Sequence, residues 1–400
     1  MRRFAKVDVP RLAAPANLVW CAGFVLAAQS STSRAAVDLT PYAGVSYAYQ
    51  SNPLYQWNGA STDLAVSSDS LLRLEGGGDA RFTWSRQTLT ANAGVRRFEY
   101  ENLGYLQRTE ETLAGKYEWS PTSDVVAGGS YRYDHRMVPF EELGDSREKL
   151  METERAAGAL LNLQLPRAWE ARSRLDARDI LSPRPGVPDL SLHETSFSEA
   201  LRRAHGTLSL GVDGEYRSGS YHGAGAPSAT TYQQVTVQLA SERSIAGFSN
   251  FSSALGYTKR NDTPGTGVST VTGFIRYERN ITGKTSGEVF IRRAVNSYIT
   301  GTSSEIDTGV GMRAAWQPTV RIRAEVSLAL TRSELPGSGG AASPSRRDRY
   351  GLTTIQLRYQ VFNGLSVGPY GRYALRSSNE PAFGFNAKEF GIELVFREPR

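Results

Sequence analysis

The chain has 400 residues, 40% hydrophobic and 22% charged, with 46 basic against 40 acidic side chains and one cysteine, Cys21. That balance excludes a disordered tail, and after residue 35 no stretch approaches the roughly 18 uninterrupted apolar positions of a spanning helix. A single cysteine excludes a disulfide framework and a cysteine-built metal site, and nothing in the sequence calls for a metal or a cofactor.

Residues 1–35 read as an address. Met1 to Lys6 is basic, Leu12 to Ala28 is mostly apolar, and the small residues Ser30 to Ala36 offer a cleavage site after Ala35, with Ser33 at the −3 position. This is the three-part layout of a secretory signal peptide, so the folded domain is expected to span 36–400. Trp20 precedes Cys21 where a lipobox needs a small residue, which argues against lipidation. The segment also carries Arg2, Arg3, Lys6, Arg11 and Arg34 against Asp8, so most of the formal +6 belongs to the address and not to the domain.

From Asp38 onward the chain alternates with period 2, as half-buried strands do. Val320, Ile322, Ala324, Val326, Leu328 and Leu330 fall on one face, and Arg321, Arg323, Glu325, Ser327 and Thr331 on the other. Candidate strands follow at 40–50, 70–84, 89–100, 107–119, 124–135, 153–164, 169–180, 192–203, 206–218, 230–242, 248–260, 269–279, 284–297, 305–316, 320–333, 348–360, 365–376 and 387–396. Connections after even-numbered strands are short, as at Ser85 to Thr88 and Gln317 to Thr319. Those after odd-numbered strands are mostly long and rich in Gly, Pro and Ser, as at Glu334 to Arg347. Short turns at one end and long loops at the other predict an all-β fold, a transmembrane antiparallel β-barrel with short periplasmic turns and long extracellular loops. A strand of about 12 residues at roughly 3.3 Å each, tilted near 45°, rises about 28 Å, close to a bilayer core. The count is 18 strands, or 16 if the weak hairpin at 192–218 is over-split.

Aromatic placement agrees with that reading. Trp84, Trp119, Trp169 and Trp316 adjoin short turns, and Tyr49, Tyr100, Tyr133, Tyr216, Tyr257, Tyr298 and Tyr373 lie toward the long loops, as two interfacial belts would. The last strand, Glu389 to Phe396, resembles the C-terminal signal read by the barrel-assembly machinery through Gly391, Leu394 and Phe396, although Arg397 to Arg400 follow where many barrels end.

If apolar faces meet lipid, the opposite faces line a lumen. Parity places Arg132, Arg276, Arg292, Arg313, Arg321, Arg323, Arg358 and Arg372 there, opposed by Asp134, Asp213, Glu278, Glu288, Asp307, Glu325 and Glu393. Only six of the 46 basic residues are lysines. Arginine binds carboxylates and phosphates through a planar fork, so this wall could guide an anionic polymer by many weak contacts. The competing reading is a self-neutralising ladder that braces the wall. The Gly76–Gly78 run is expected to mark close backbone approach or a bend. Gly283-Lys284-Thr285 lacks the upstream glycine of a phosphate loop. The loop 136–152, with Glu141, Glu142, Asp145 and Glu148, reads as solvated, with an inward constriction or cation site as the alternative. Of His135, His193, His205 and His222, only Asp134-His135 suggests a dyad, and neighbouring strand residues point apart, so no enzyme activity is expected.

Asp38 to Leu54, with its Pro41-Tyr42 strand and Ser51-Asn52-Pro53-Leu54 loop start, resembles the opening of the beta-barrel porins encoded with exopolysaccharide genes, the EpsL-type outer-membrane proteins. Gln50 and Pro53 depart from that pattern. Thr90 to Tyr105, with Phe98, Tyr100, Asn102 and Gly104, resembles the same group's second hairpin. The resemblance implies a bacterial outer-membrane channel exporting an extracellular polysaccharide. The implied partners are outer-membrane lipid, the assembly machinery, the polymer, and periplasmic or inner-membrane export components, with no nucleic acid. A general diffusion porin or a structural barrel is the alternative.

Overall fold

The computed structural model describes residues 36–56, 68–140, 148–183, 189–223, 230–245, 247–263, 267–298, 303–335 and 346–399. The expected signal peptide, and Glu141, Glu142 and Asp145, lie outside them.

Eighteen strands occupy most of these residues. They are β1 (Ala36–Ser51), β2 (Ser68–Trp84), β3 (Gln87–Tyr100), β4 (Arg108–Trp119), β5 (Val125–Met137), β6 (Met151–Leu165), β7 (Trp169–Ser182), β8 (Leu190–His205) and β9 (Leu208–His222). The second half has β10 (Thr230–Ile245), β11 (Ser249–Thr263), β12 (Gly267–Thr282), β13 (Thr285–Tyr298), β14 (Ser303–Thr319), β15 (Ile322–Leu335), β16 (Arg346–Phe362), β17 (Leu365–Ser378) and β18 (Phe385–Arg397). Each pairs antiparallel with its sequence neighbours, and β18 returns to pair with β1, so one sheet closes into a barrel. The hairpin around 192–218 is two full strands, β8 and β9, which excludes the 16-strand count. Barrels of 16–18 strands leave an aqueous lumen, whereas 22-stranded ones are plugged.

The period-2 pattern decides which way each side chain points. On β10 and β11, Leu239 and Leu255 face each other across the ladder and are 70% and 66% exposed, while Ala240 and Ala254 beside them are buried. An apolar face this exposed around the circumference fits hydrocarbon, and its polar reverse fits a lumen. Trp84, Trp119, Trp169 and Trp316 all sit on the outward face at the short-turn end, Trp316 opposite Thr285 at the β13–β14 rung nearest its turn. Tyr49, Tyr216, Tyr257 and Tyr373 are outward and exposed at the other end. Tyr100 breaks the expected belt: it pairs with Leu71, points inward and is buried with Phe98 and Leu54, because it falls on the lumen parity of β3.

Short turns close tightly, with Gly206 and Gly364 at positive φ (59° and 90°) where a side chain would be strained. The turn before β15 consists of Val320 and Arg321, so the expected strand at 320–333 starts two residues later, at Ile322. Of the Gly76–Gly78 run, Gly77 faces inward, and a Cβ there would lie 2.6 Å from the Tyr42 hydroxyl. The Tyr42 ring thus lies against the wall over Gly77 and Gly94, the close approach the run predicted.

One ladder is incomplete. β12 and β13 pair only from Gly273/Arg293 down to the turn. Above that point the end of β13 leaves its neighbour and crosses the inner wall, so that Ser297 Oγ reaches Tyr232 Oη at 3.0 Å and Glu194 at 3.3 Å. Arg293 spans the gap, donating to Thr308 Oγ1 at 2.6 Å and Thr270 Oγ1 at 3.2 Å.

The closing seam tolerates no bulk at Gly391, where a Cβ would sit 2.4 Å from the Tyr47 carbonyl oxygen and 2.8 Å from Ala48 Cβ. Leu394 and Phe396 point to lipid, 40% and 42% exposed. Gly391→Val is expected to lower the yield of closed barrel, read as loss of the fast-migrating folded band on unheated SDS gels, while Leu394→Val leaves that band in place.

Candidate functional site

The lumen wall is built from alternate residues of all eighteen strands, and its charges are paired along and across strands. Arg132 bonds Asp134 two residues on. Arg276 Nε and Arg313 Nη1 approach Glu288 from either side, at 3.3 and 3.7 Å. Arg323 Nε lies 2.5 Å from Glu325, and Arg358 Nε lies 3.0 Å from Glu393, which also accepts from Gln356. Arg372 stands opposite Glu389. Arg292 faces the lumen with no ion-pair partner among the described residues. Seven of the eight arginines expected on the wall are on it. Arg321 is not, since it lies in the tight turn before β15, where its backbone N–H bonds Thr319 Oγ1. Residues two apart on a strand share a face, so an Arg-x-acid spacing puts each guanidinium beside a carboxylate.

Midway up the wall a less expected arrangement appears. Phe274 on β12 stands directly opposite Arg292 on β13, and Arg276 stands opposite Phe290, making a two-by-two checkerboard of phenyl rings and guanidiniums. Phe290 packs over Gly311 of β14, where a Cβ would come 2.4 Å from its ring. Phe274 is 41% exposed. Thr272, Gln238, Glu288 and Arg313 complete the surroundings. Two rings on an otherwise polar wall offer flat apolar faces, and the adjoining guanidiniums and carboxylate offer donors and acceptors within one side chain's reach.

Toward the long-loop end the lumen narrows around buried arginines. Arg108 lies 3.9 Å over the Phe98 ring and bonds Glu110 at 2.7 Å. Arg260, fully buried, lies 3.7 Å over Tyr232 and bonds Asp262 at 2.9 Å. Arg346 lies 3.9 Å over Phe383 and bonds Asp348 at 3.0 Å, and Asp348 also pairs with Arg376. Each is an Arg-x-acid triplet on a lumen face, covered by chain that folds inward. Over Arg108, the 3-10 turn Gly104–Leu106 is held by the Asp69 carboxylate, which accepts from the Asn102 and Leu103 N–H groups at 3.1 and 2.9 Å. Leu54, Leu71, Phe98, Tyr100, Leu103, Leu106 and Phe140 pack there into an apolar shelf. These arginines carry the same parity signal as the eight, but burial depends on which loops fold in, and periodicity does not report that.

Asp134 and His135 point to opposite faces, with Asp134 buried in the lumen and His135 hydrogen-bonded outside to Thr153 at 3.0 Å. His193 contacts Asp179 on the outer face, and among the described residues no hydrogen bond joins it to a hydroxyl.

No protein-family model and no curated protein matches the sequence. Among solved structures, the barrel is similar to the FrpB iron transporter from Neisseria meningitidis, with a TM-score of 0.51 and 9% identity over 94% of this chain and 83% of that one. OccK9 of Pseudomonas aeruginosa superposes with a TM-score of 0.47 and 12% identity, over 92% of this chain and 99% of that one. At these identities the likeness is one of fold, that of a closed outer-membrane β-barrel.

Removing a buried guanidinium while its carboxylate stays should be costly, about 3–5 kcal/mol, because the remaining charge has no solvent to return to. Arg260→Met is therefore expected to lower the urea midpoint of unfolding, followed by tryptophan fluorescence. Adding Asp262→Asn should recover part of the loss.

Proposed function

We propose that this barrel is a conduit in the bacterial outer membrane for an extracellular polysaccharide. The observation that carries the reading is the checkerboard of Phe274, Arg276, Phe290 and Arg292 on the lumen wall. A sugar ring has an apolar C–H face and a rim of hydroxyls. The face stacks on an aromatic ring, and the rim takes hydrogen bonds from guanidiniums and gives them to carboxylates. Paired charges such as Arg276–Glu288–Arg313 serve such a ligand better than bare arginines would, since they offer donor and acceptor together and hold no polymer by net charge. Many contacts, each weak, let a chain enter and leave. The resemblance of residues 38–54 and 90–105 to the EpsL-type proteins supports the same reading. In it, the barrel-assembly machinery inserts the chain after removal of residues 1–35, and periplasmic or inner-membrane export components deliver the polymer. The barrel itself acts by binding and release, without catalysis.

A general diffusion porin is the second reading, favoured by the same charge balance and by an 18-strand barrel, a size that leaves an aqueous channel. Planar-bilayer recordings separate the two. Wild-type conductance is expected to be blocked by both polygalacturonate and dextran, with Phe274→Ala weakening the block by each about tenfold, the scale of one lost stacking platform. Conductance indifferent to both polymers would leave the porin reading. A deletion strain that secretes normal polysaccharide would also count against export.

A further inference from the structure

Apart from its lumen, the barrel carries a local excess of positive charge on its lipid-facing wall. Arg332 on β15, Arg347 and Arg349 on β16 and Lys388 on β18 all point outward, on the parity of Leu330, Ile355 and Phe390. Arg332, Arg349 and Lys388 each stand three residues in from the long-loop end of their strand, at one level around the rim. Just below them the wall turns apolar, with Leu330 and Leu375 51% and 44% exposed. That is the depth at which lipid headgroups meet the hydrocarbon.

One carboxylate answers these four cations: Glu334, 2.7 Å from Arg332 and opposite Arg347 in the ladder. Arg349 and Lys388 have no acidic partner among the described residues, and 336–345, which joins β15 to β16, has no Asp or Glu in its sequence. Arg332 and Arg349 are direct cross-strand partners. Like charges so placed repel, and an anion bridging them removes the cost. The rim holds them in position, for the Arg347 N–H donates to Asn379 Oδ1 at 2.6 Å and the Arg347 carbonyl accepts from the Asn379 N–H at 3.2 Å. On β3–β7 at this level the outward cations Arg97 and Arg155 are matched: Arg97 has Glu99 at 3.5 Å, with Glu111 on the same face of β4, and Arg155 stands opposite Asp179.

We propose that β15–β18 bear a binding site for a phosphorylated lipid headgroup of the outer leaflet. The forks of Arg332 and Arg349 take one phosphate between them. Lys388, two strands around the wall from Arg349 and offset four residues along them, about 16 Å away at roughly 4.8 Å per strand and 3.3 Å per residue, reaches a second phosphate of the same headgroup. The acyl chains then lie along Leu330, Leu375 and Phe390. The site faces away from the lumen and does not depend on what passes through it.

Native mass spectrometry of the detergent-purified full-length barrel tests this, with diphosphoryl lipid A as probe. The dephosphorylated lipid and phosphatidylcholine serve as comparisons. Wild type is expected to retain diphosphoryl lipid A over both. The double variant Arg332→Gln/Arg349→Gln should hold it about thirtyfold more weakly, from two lost surface charges. Arg97→Gln, on a charge-matched stretch of wall, should retain it as wild type does. Equal retention by the double variant, equal retention of the dephosphorylated lipid, or equal loss in Arg97→Gln would each overturn the proposal. Displacement by millimolar inorganic phosphate would assign the site to a free anion and overturn the lipid. The folded band on unheated gels confirms closure, and if the double variant fails it, Lys388→Gln is expected to show a partial loss of the same lipid.

Discussion

A chain that crosses hydrocarbon must satisfy every backbone N–H and C=O within itself, and for strands the only complete solution is a closed cylinder. The rest of this structure depends on that condition. Closure rests on the β1–β18 ladder, which runs from Tyr42/Arg397 to Ser51/Lys388. Gly391 sits in that ladder because a side chain there would meet the backbone of β1. Once closed, the sheet has no free edge, and each strand has one face toward lipid and one toward water.

Those faces obey different electrostatics. Inside, charges are dense, and most are held by partners two residues along the strand or one strand away. The wall is thus mixed in sign at short range, a surface that braces the barrel and binds polar solutes without trapping them. Toward the mouth, inward-folded chain takes Arg108, Arg260 and Arg346 out of water, and each keeps both an aromatic ring and a carboxylate. A buried charge is tolerated only when so compensated. Outside, the outward charges near the long-loop rim sit above the apolar band, where a headgroup can answer them.

The strand count, the antiparallel order and the inward face of seven of the eight arginines assigned to the wall were legible in the sequence, because a period of two needs only local alternation. Arg132, Arg276, Arg292, Arg313, Arg323, Arg358 and Arg372 fell on the lumen by parity alone. Arg321 was misplaced by one tight turn, since periodicity carries through a turn whose residues also alternate. Tyr100 was assigned to the outer belt from its position along the strand, whereas its parity with Leu71 sends it inward.

By itself, then, the sequence determined the architecture: alternation defines the two faces, and turn lengths define the two ends. Only the tertiary structure decided the site. Phe274 and Arg276 lie on one strand, Arg292 and Phe290 on the next, and their checkerboard exists because the β12–β13 register places 274 opposite 292. The pairing of Arg332 with Arg349 on the outer wall follows from the β15–β16 register in the same way. Register is a relation between strands, set by turns and by cross-strand packing, so no pattern within a single strand could have reported it.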